Sequence, residues 1–309
     1  MIEEILRTIH DLWDLIILLI SIVYMYVLAV YKYFVPPDLD SLDGKVILIT
    51  GSAGGIGRQI CLQLATTTKA MLICWDVDKQ SNDKFVSDLI KLTAVKAFSY
   101  QVDVSDRSNV QTAIEQARKE IGDIQIVINN AGIMPCRPFL QQSPVELEKS
   151  FEINVLSHFW ILREILPRMI EVNDGHIVTV CSAAGLIATR NLAAYSGTKH
   201  AVHGFIESLK EEIRHDPRKP NIRFTTVYPF ACSTGMMSGV KSYSRFPFLV
   251  KTILQPEEVA EKLVLGLRGN IEHVYIPDFI SFAGTTAKCL LPEVQRLAVD
   301  FMNCYVEPA

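Results

Sequence analysis

The chain has 309 residues, 49% of them hydrophobic and 21% charged, with a formal net charge of −4. That length and apolar content can bury one large α/β core, and the weak acidity, without any basic cluster interleaved with aromatics, excludes a nucleic-acid surface. Seven scattered cysteines with no C-x-x-C pair exclude a disulfide framework and a zinc site and indicate a reducing compartment.

Along residues 2–13, Ile2, Ile5, Leu6, Ile9, Leu12 and Trp13 recur at helical spacing opposite Glu3, Glu4, Arg7 and Asp11. Residues 15–31 then run 17 positions without a charge, roughly 25 Å of helix against a hydrocarbon core of ~30 Å. Trp13, Tyr24, Tyr26, Tyr31 and Tyr33 supply interfacial aromatics, and Lys32 closes the run. The segment reads as a membrane anchor that either spans the bilayer or dips in from one side. Val27-Leu28-Ala29 also fits a signal-peptide cleavage site, but the leading segment is acidic where such a peptide is basic. Pro36-Pro37 cannot continue a helix and marks the boundary between the anchor, residues 1–37, and a catalytic domain, residues 38–309. The lysine beyond the run favours a cytosolic catalytic domain.

Residues 45–50 form a short apolar run of strand type, followed by Gly51-Ser52-Ala53-Gly54-Gly55-Ile56-Gly57 and a helical pattern from Arg58. Strand, glycine turn and helix is the context of a dinucleotide fingerprint, in which backbone amides approach a pyrophosphate at the helix N-terminus. The second strand, 71–75, ends at Asp76, 19 residues after Gly57. An acid there accepts bonds from the adenosine ribose hydroxyls and repels a 2′-phosphate. Gly54 offers no basic side chain for that phosphate, so NAD is expected rather than NADP. Strands at 96–100 and 124–128, with Asp103 after the first and a helix at 108–121 between them, predict a parallel sheet with crossovers. Asn129-Asn130-Ala131-Gly132 closes the fourth strand, where asparagines brace the floor under a cofactor. The next helix is expected to run unbroken over 145–169, with Asn154, a poor helix former, at its middle.

An apolar run at 177–180 reads as a buried strand leading to Ser182, and Tyr195 and Lys199 follow four residues apart on one helix face. Hydroxyl, phenol and ammonium around one point suit moving a proton on and off an alcohol oxygen. A tyrosine ordinarily titrates at about 10, and a neighbouring ammonium favours the phenolate, as would a cationic nicotinamide ring. Cys181 reads as a small buried residue, His200 and His203 as surface or packing positions, and no metal site is expected.

Thr50-Gly51-x-x-x-Gly55-x-Gly57, Asn129-Asn130-Ala131-Gly132, Asn154, Ser182 and Tyr195-x-x-x-Lys199 stand in the order and spacing of the short-chain dehydrogenases/reductases, which the chain resembles over residues 42–280. The resemblance implies a single Rossmann-type, doubly wound parallel sheet with Asn154, Ser182, Tyr195 and Lys199 as catalytic tetrad. By that likeness Tyr195 is the acid/base, Ser182 holds the substrate oxygen, Lys199 binds the nicotinamide ribose and lowers the tyrosine pKa, and Asn154 holds a water of the proton relay. Cofactor contacts carry over to Gly51, Ser52, Gly55, Ile56, Gly57, Asp76, Asp103, Val104, Asn130 and Gly132, besides Tyr195 and Lys199. One departure stands out: after the sixth strand, 222–228, the family commonly has Pro-Gly, where this chain has Pro229-Phe230. That segment, on to Met236, and the N-terminal anchor resemble the membrane-bound retinol and hydroxysteroid dehydrogenase branch, the epidermal retinol dehydrogenase type above all.

Beyond Pro229, Met236, Met237, Tyr243, Phe246, Phe248 and Leu249 lie in a segment poor in helix signals and fit an adaptable apolar pocket, with Leu186 and Ile187 on the same cavity. A helix at 256–267 and a strand at 273–276 follow. The tail, with Phe279, Ile280, Phe282, Leu290, Leu291 and Val299, closes the pocket, packs on a dimer mate or lies on the bilayer. The reading is a membrane-associated oxidoreductase moving hydride between NAD(H) and the secondary or allylic alcohol or carbonyl of a lipophilic, retinol- or steroid-like substrate. Its expected setting is the endoplasmic reticulum membrane or a lipid droplet, as a homodimer in contact with membrane lipid. The alternatives are an NADPH-dependent carbonyl reductase and a non-catalytic lipid-droplet scaffold.

Overall fold

The computed structural model describes residues 2–35, 38–243, 253–281, 284, 290–302 and 305–308. The chain divides into two compact units, Met1–Leu39 and Asp40–Ala309. The first is one helix, α1 (Ile2–Phe34), so the amphipathic start and the uncharged run are continuous. Its most apolar stretch is His10–Leu28, 19 residues of mean hydropathy 2.0 and none of it buried. By length and composition that stretch is enough to cross a bilayer.

The second unit alternates strand and helix: β1 (Val46–Thr50), α2 (Gly55–Thr67), β2 (Met71–Asp76), α3 (Lys79–Thr93), β3 (Lys96–Gln101), α4 (Arg107–Glu120) and β4 (Ile126–Asn129). After these come α5 (Pro144–Phe151), α6 (Ser157–Val172), β5 (Gly175–Val180), α7 (Ala193–Arg214), β6 (Ile222–Pro229) and β7 (Val240–Tyr243). The last elements are α8 (Pro256–Arg268), β8 (His273–Ile276), the single turn α9 (Phe279–Ser281), α10 (Pro292–Met302) and β9 (Tyr305–Pro308). Seven strands form one sheet in the order β3-β2-β1-β4-β5-β6-β8, every pair parallel. The strands are near-continuous apolar runs because both faces are covered. Ile47, Ile49, Ile126 and Ile128 pack with Ile60, Leu64 and Leu263 on the α2/α3/α8 side. Leu48, Val127 and Ile177 pack with Ile114, Ile161 and Val202 on the α4/α6/α7 side. Strand order reverses between β1 and β4, and the crevice at their carboxyl ends is where an open α/β sheet takes its ligand.

Two features differ from the sequence expectation. The helix expected over 145–169 is broken by a π-helical segment, Glu152–Leu156, centred on Asn154. The segment 240–243 is a strand, β7, paired antiparallel with the C-terminal β9. The second of these has no local signal in the sequence, since a four-residue strand is defined by its distant partner. Pro36, Pro37, Phe246, Phe248, Leu249 and Phe282 lie outside the described residues.

Candidate active site

The switch-point crevice opens into one cleft of about 1590 Å³, lined by Gly51, Gly55, Ile56, Asp76, Asp103, Val104, Asn130, Gly132, Ser182, Tyr195 and Lys199. The glycine turn makes its floor. Gly51 and Gly55 adopt left-handed backbone, φ +66° and +52°, which favours glycine. Gly54 caps α2 without a side-chain acceptor and the first turn holds no acid, so the positive end of a 13-residue helix stays open to an anion. Asp76, at the end of β2, accepts the amides of Ala53 (2.9 Å) and Asp78 (3.0 Å) and holds its carboxylate at the cleft. These features fit a dinucleotide: a glycine cradle, an open helix N-terminus and an acid one strand away.

Three residues expected at the cleft stand behind it. Ser52 is fully buried; its N–H and hydroxyl both donate to the Trp75 carbonyl (3.1 Å each), and the hydroxyl also lies 2.8 Å from Asn82 Oδ1. Both of its donors therefore tie the turn to β2 rather than meeting a ligand. Gly57 is buried beneath the turn. Asn154 is fully buried; its Oδ1 accepts the Ile133 amide (2.8 Å) while Nδ2 donates to the Ile133 carbonyl (2.9 Å) and Thr198 Oγ1 (3.1 Å). The amide clamps the loop after β4 to α7, which is the reason for an asparagine in an apolar stretch. Asn130 does similar work, donating Nδ2 to the Thr50 carbonyl (2.8 Å) and its own N–H to Thr50 Oγ1 (3.0 Å).

Ser182 follows β5, and its Oγ accepts the Ala184 amide (3.1 Å) and lies 3.5 Å from the Pro229 carbonyl. Tyr195 is buried in the cleft wall among Ala184, Leu192 and Val306. Burial pushes its phenol up to about 12, against a downward pull from the Ser182 hydroxyl. Lys199 donates Nζ to the Val180 carbonyl (2.9 Å) and stands 5.7 Å from the centre of the Tyr195 ring. Burial also lowers the lysine's own pKa. Among the chain's own groups loss of solvent dominates and holds the phenol above its ordinary value, because a phenolate is the form that burial penalises. Cys181 is buried, and burial pushes its thiol up to about 11. His203 Nδ1 lies 2.9 Å from Tyr228 Oη, and exposed His200 lies against the Ser196 carbonyl. Among the described residues no group of three His, Cys, Asp or Glu is placed to hold a metal.

A family model described as short chain dehydrogenase matches residues 45–244. The chain belongs to the short-chain dehydrogenase family. As a member of it the protein is an oxidoreductase, and its relatives are of the retinol and hydroxysteroid dehydrogenase branch. It is 34% identical to 17-beta-hydroxysteroid dehydrogenase 13 of Homo sapiens, over 93% of this chain and 95% of that one. It is 36% identical to retinol dehydrogenase 10-B of Danio rerio, over 90% and 88%, and 35% identical to epidermal retinol dehydrogenase 2 of Mus musculus, over 86% and 84%. Among solved structures, 7 alpha-hydroxysteroid dehydrogenase complexed with NADH and 7-oxo glycochenodeoxycholic acid superposes with a TM-score of 0.67 at 22% identity, covering 76% of this chain and 93% of that one. This short-chain dehydrogenase departs from the motif pattern at Phe230, whose N–H donates to the Ile276 carbonyl (2.8 Å) and whose half-buried ring packs on the core. The side chain is taken up by packing, and the backbone there has no positive φ.

Leu186, Ile187, Met236 and Met237 line the cleft as expected, and of the tail Phe279, Leu290, Pro292 and Val306 do so too. Tyr243 does not line it and stacks on Tyr305 (ring centroids 5.0 Å). Strand β9 has no local signal in the residues that form it. That strand is held by Asn191 Nδ2 on the Val306 carbonyl (2.8 Å), by Arg190 on Glu307 (2.8 Å) and by Arg190 over the Tyr305 ring (3.8 Å). The partners of Asn154 have no local sequence signal, since Ile133 meets it through its backbone and Thr198 through a hydroxyl 44 residues away.

Proposed function

We propose that this short-chain dehydrogenase oxidises the hydroxyl of a lipophilic, retinol- or steroid-like alcohol with NAD, and does so at a lipid surface. The observation that carries the reading is the meeting of Ser182, Tyr195 and Lys199 with the glycine cradle in one cleft whose walls are mostly apolar. Gly51, Gly55, Ile56, Asp103, Val104, Asn130 and Gly132 would hold the dinucleotide, and Asp76 at the ribose supports NAD over NADP. When bound, NAD supplies the hydride acceptor. Ser182 Oγ holds the substrate oxygen, Tyr195 Oη takes its proton, and Lys199 stabilises the resulting phenolate. Lowering Tyr195 from about 12 takes about 1.4 kcal/mol of phenolate stabilisation per pH unit, so the cleft walls that exclude water matter by strengthening every charge acting on it. Asn154 and Gly57 act from behind, holding the cradle and α7 in place.

The apolar span of α1 supports a membrane or lipid-droplet setting. We place the anchor at residues 1–37 and the catalytic domain, residues 38–309, on the cytosolic side of the endoplasmic reticulum. We place the chain in a homodimer as well.

The test is to incubate membranes carrying the full chain with NAD or NADP and a panel of retinoids, sterols and long-chain alcohols, following reduced nicotinamide. Turnover with NAD is expected, and Tyr195→Phe should lose about 10²-fold or more of it while still binding NAD. Retained turnover in that variant removes Tyr195 from the mechanism, and a clear preference for NADP overturns the reading of Asp76.

A further inference from the structure

Helix α10 is mounted the opposite way round from a helix that covers a soluble core. Its polar Gln295 and Arg296 line the cleft, whereas Leu291, Val294 and Leu297 are 70%, 42% and 70% exposed. At 3.6 residues per turn, Val294 and Leu297 centre one face and Gln295 and Arg296 each lie about 130° around the axis from it. In a globular domain the apolar stripe faces inward, so a stripe facing out marks a contact surface. Three exposed side chains are far fewer than the roughly 20–30 residues per partner of a stable protein interface. A lipid surface has no such threshold, and an apolar helix face beds into it by several ångströms. The same chain carries the 19-residue apolar span His10–Leu28, which brings it to lipid. Leu290, just before the helix and 40% exposed, lines the cleft as well.

We infer that the outer face of α10, centred on Val294 and Leu297 with Leu291 at its edge, beds into the lipid surface, so that one helix is both a wall of the cleft and the lipid contact. A lipophilic alcohol then passes from lipid to Tyr195 without crossing water. The inference rests on the lipid-substrate reading above, and its first test needs no turnover.

The full chain carrying Leu297→Trp is reconstituted in phosphatidylcholine vesicles with and without brominated acyl chains, and the emission of the unsubstituted chain is subtracted. The expected result is a blue-shifted added emission that loses at least half its intensity to the bromolipid. The same measurement with Leu92→Trp, on the exposed side of α3, should give an unquenched emission. An unquenched residue 297 overturns the inference. A blue shift without quenching that grows with protein concentration does so as well, by assigning the face to a second copy. Where turnover is found, Leu291→Glu with Leu297→Glu should raise KM about tenfold for an alcohol dissolved in the vesicles, as expected if apolar burial is lost. KM and kcat for a water-soluble secondary alcohol should stay unchanged. An equal loss on both alcohols counts against the lipid contact, whereas absent turnover with residue 297 quenched counts against the enzymatic reading alone.

Discussion

A methyl group added at Gly57 would lie 2.0 Å from the Gly51 carbonyl oxygen and 2.6 Å from Asn130 Nδ2, a backbone atom and a clamped amide that cannot step aside. Gly57→Ala is therefore expected to cost about 3 kcal/mol and to abolish NAD binding, read by chemical unfolding and by nucleotide titration. Asn154 is a different kind of residue, whose value lies in three bonds to buried groups. Asn154→Ala leaves the Ile133 amide and carbonyl unpaired, at about 1–3 kcal/mol for each buried group. A lower unfolding midpoint and a weakened kcat should appear together, because the Ile133 loop borders the cleft and Thr198 sits beside Lys199. Normal stability with lost turnover would instead give Asn154 a direct part in the proton path. Tyr195 shows the limit of reading a motif as a pKa: the lysine is where the spacing puts it, yet the degree of burial sets the direction of the shift.

At the level of elements, the starts of α3, α4 and α5 are specified by local chemistry. Asp78 caps α3 by accepting the Ser81 amide, and Ser143 and Glu146 form a reciprocal capping box at α5. The C-terminus of α3 is less well made, since Ala94 adopts φ +56°, a left-handed conformation. Ala94→Gly removes that strain and is expected to stabilise the domain by up to ~1 kcal/mol, measured as a shift in the unfolding midpoint. No change would mean that the entropy gained by the unfolded chain offsets the relief. The π-helical segment around Asn154 is the counter-example. There the tertiary demand to reach Ile133 and Thr198 at once overrides regular helix, and such inserts often mark functional positions.

For the molecule as a whole, two imidazoles are buried, His158 on α6 and His176 on β5, where His176 lies 2.9 Å from Thr225 Oγ1. His158, pressed down to about 3 by burial and by the Lys199 charge, and His176, also held near 3 by burial and Arg223 against a pull from Asp40, are neutral when folded. An unfolded histidine titrates near 6.5. The unfolded chain therefore takes up these protons first as pH falls, and their contribution is complete above pH 6.5 and lost progressively toward pH 3. Each unit of separation is worth about 1.4 kcal/mol per group, so unfolding free energy should fall steeply below pH 6.5. His176→Gln should reduce the slope by close to one proton, and an unchanged slope would show that His176 titrates normally in the folded state.

Strand and helix order, the dinucleotide turn, the acid ending β2 and the positions of Ser182, Tyr195 and Lys199 are all legible in the residues alone. Each depends on contacts within a few positions: a period of two or 3.6, a glycine that the turn requires, or a spacing of four on one helix face. The positions of Ser52 and Asn154 behind the cleft, the upward shift of Tyr195, the closure of the cleft by β9 and the outward apolar face of α10 are not legible. They are set by groups brought together across 21 residues between Asn154 and Ile133 at the nearest and more than 100 between Tyr195 and Val306. Burial and pairing at such distances are properties of the folded chain, because only packing decides which polar groups lose water and which apolar faces keep it.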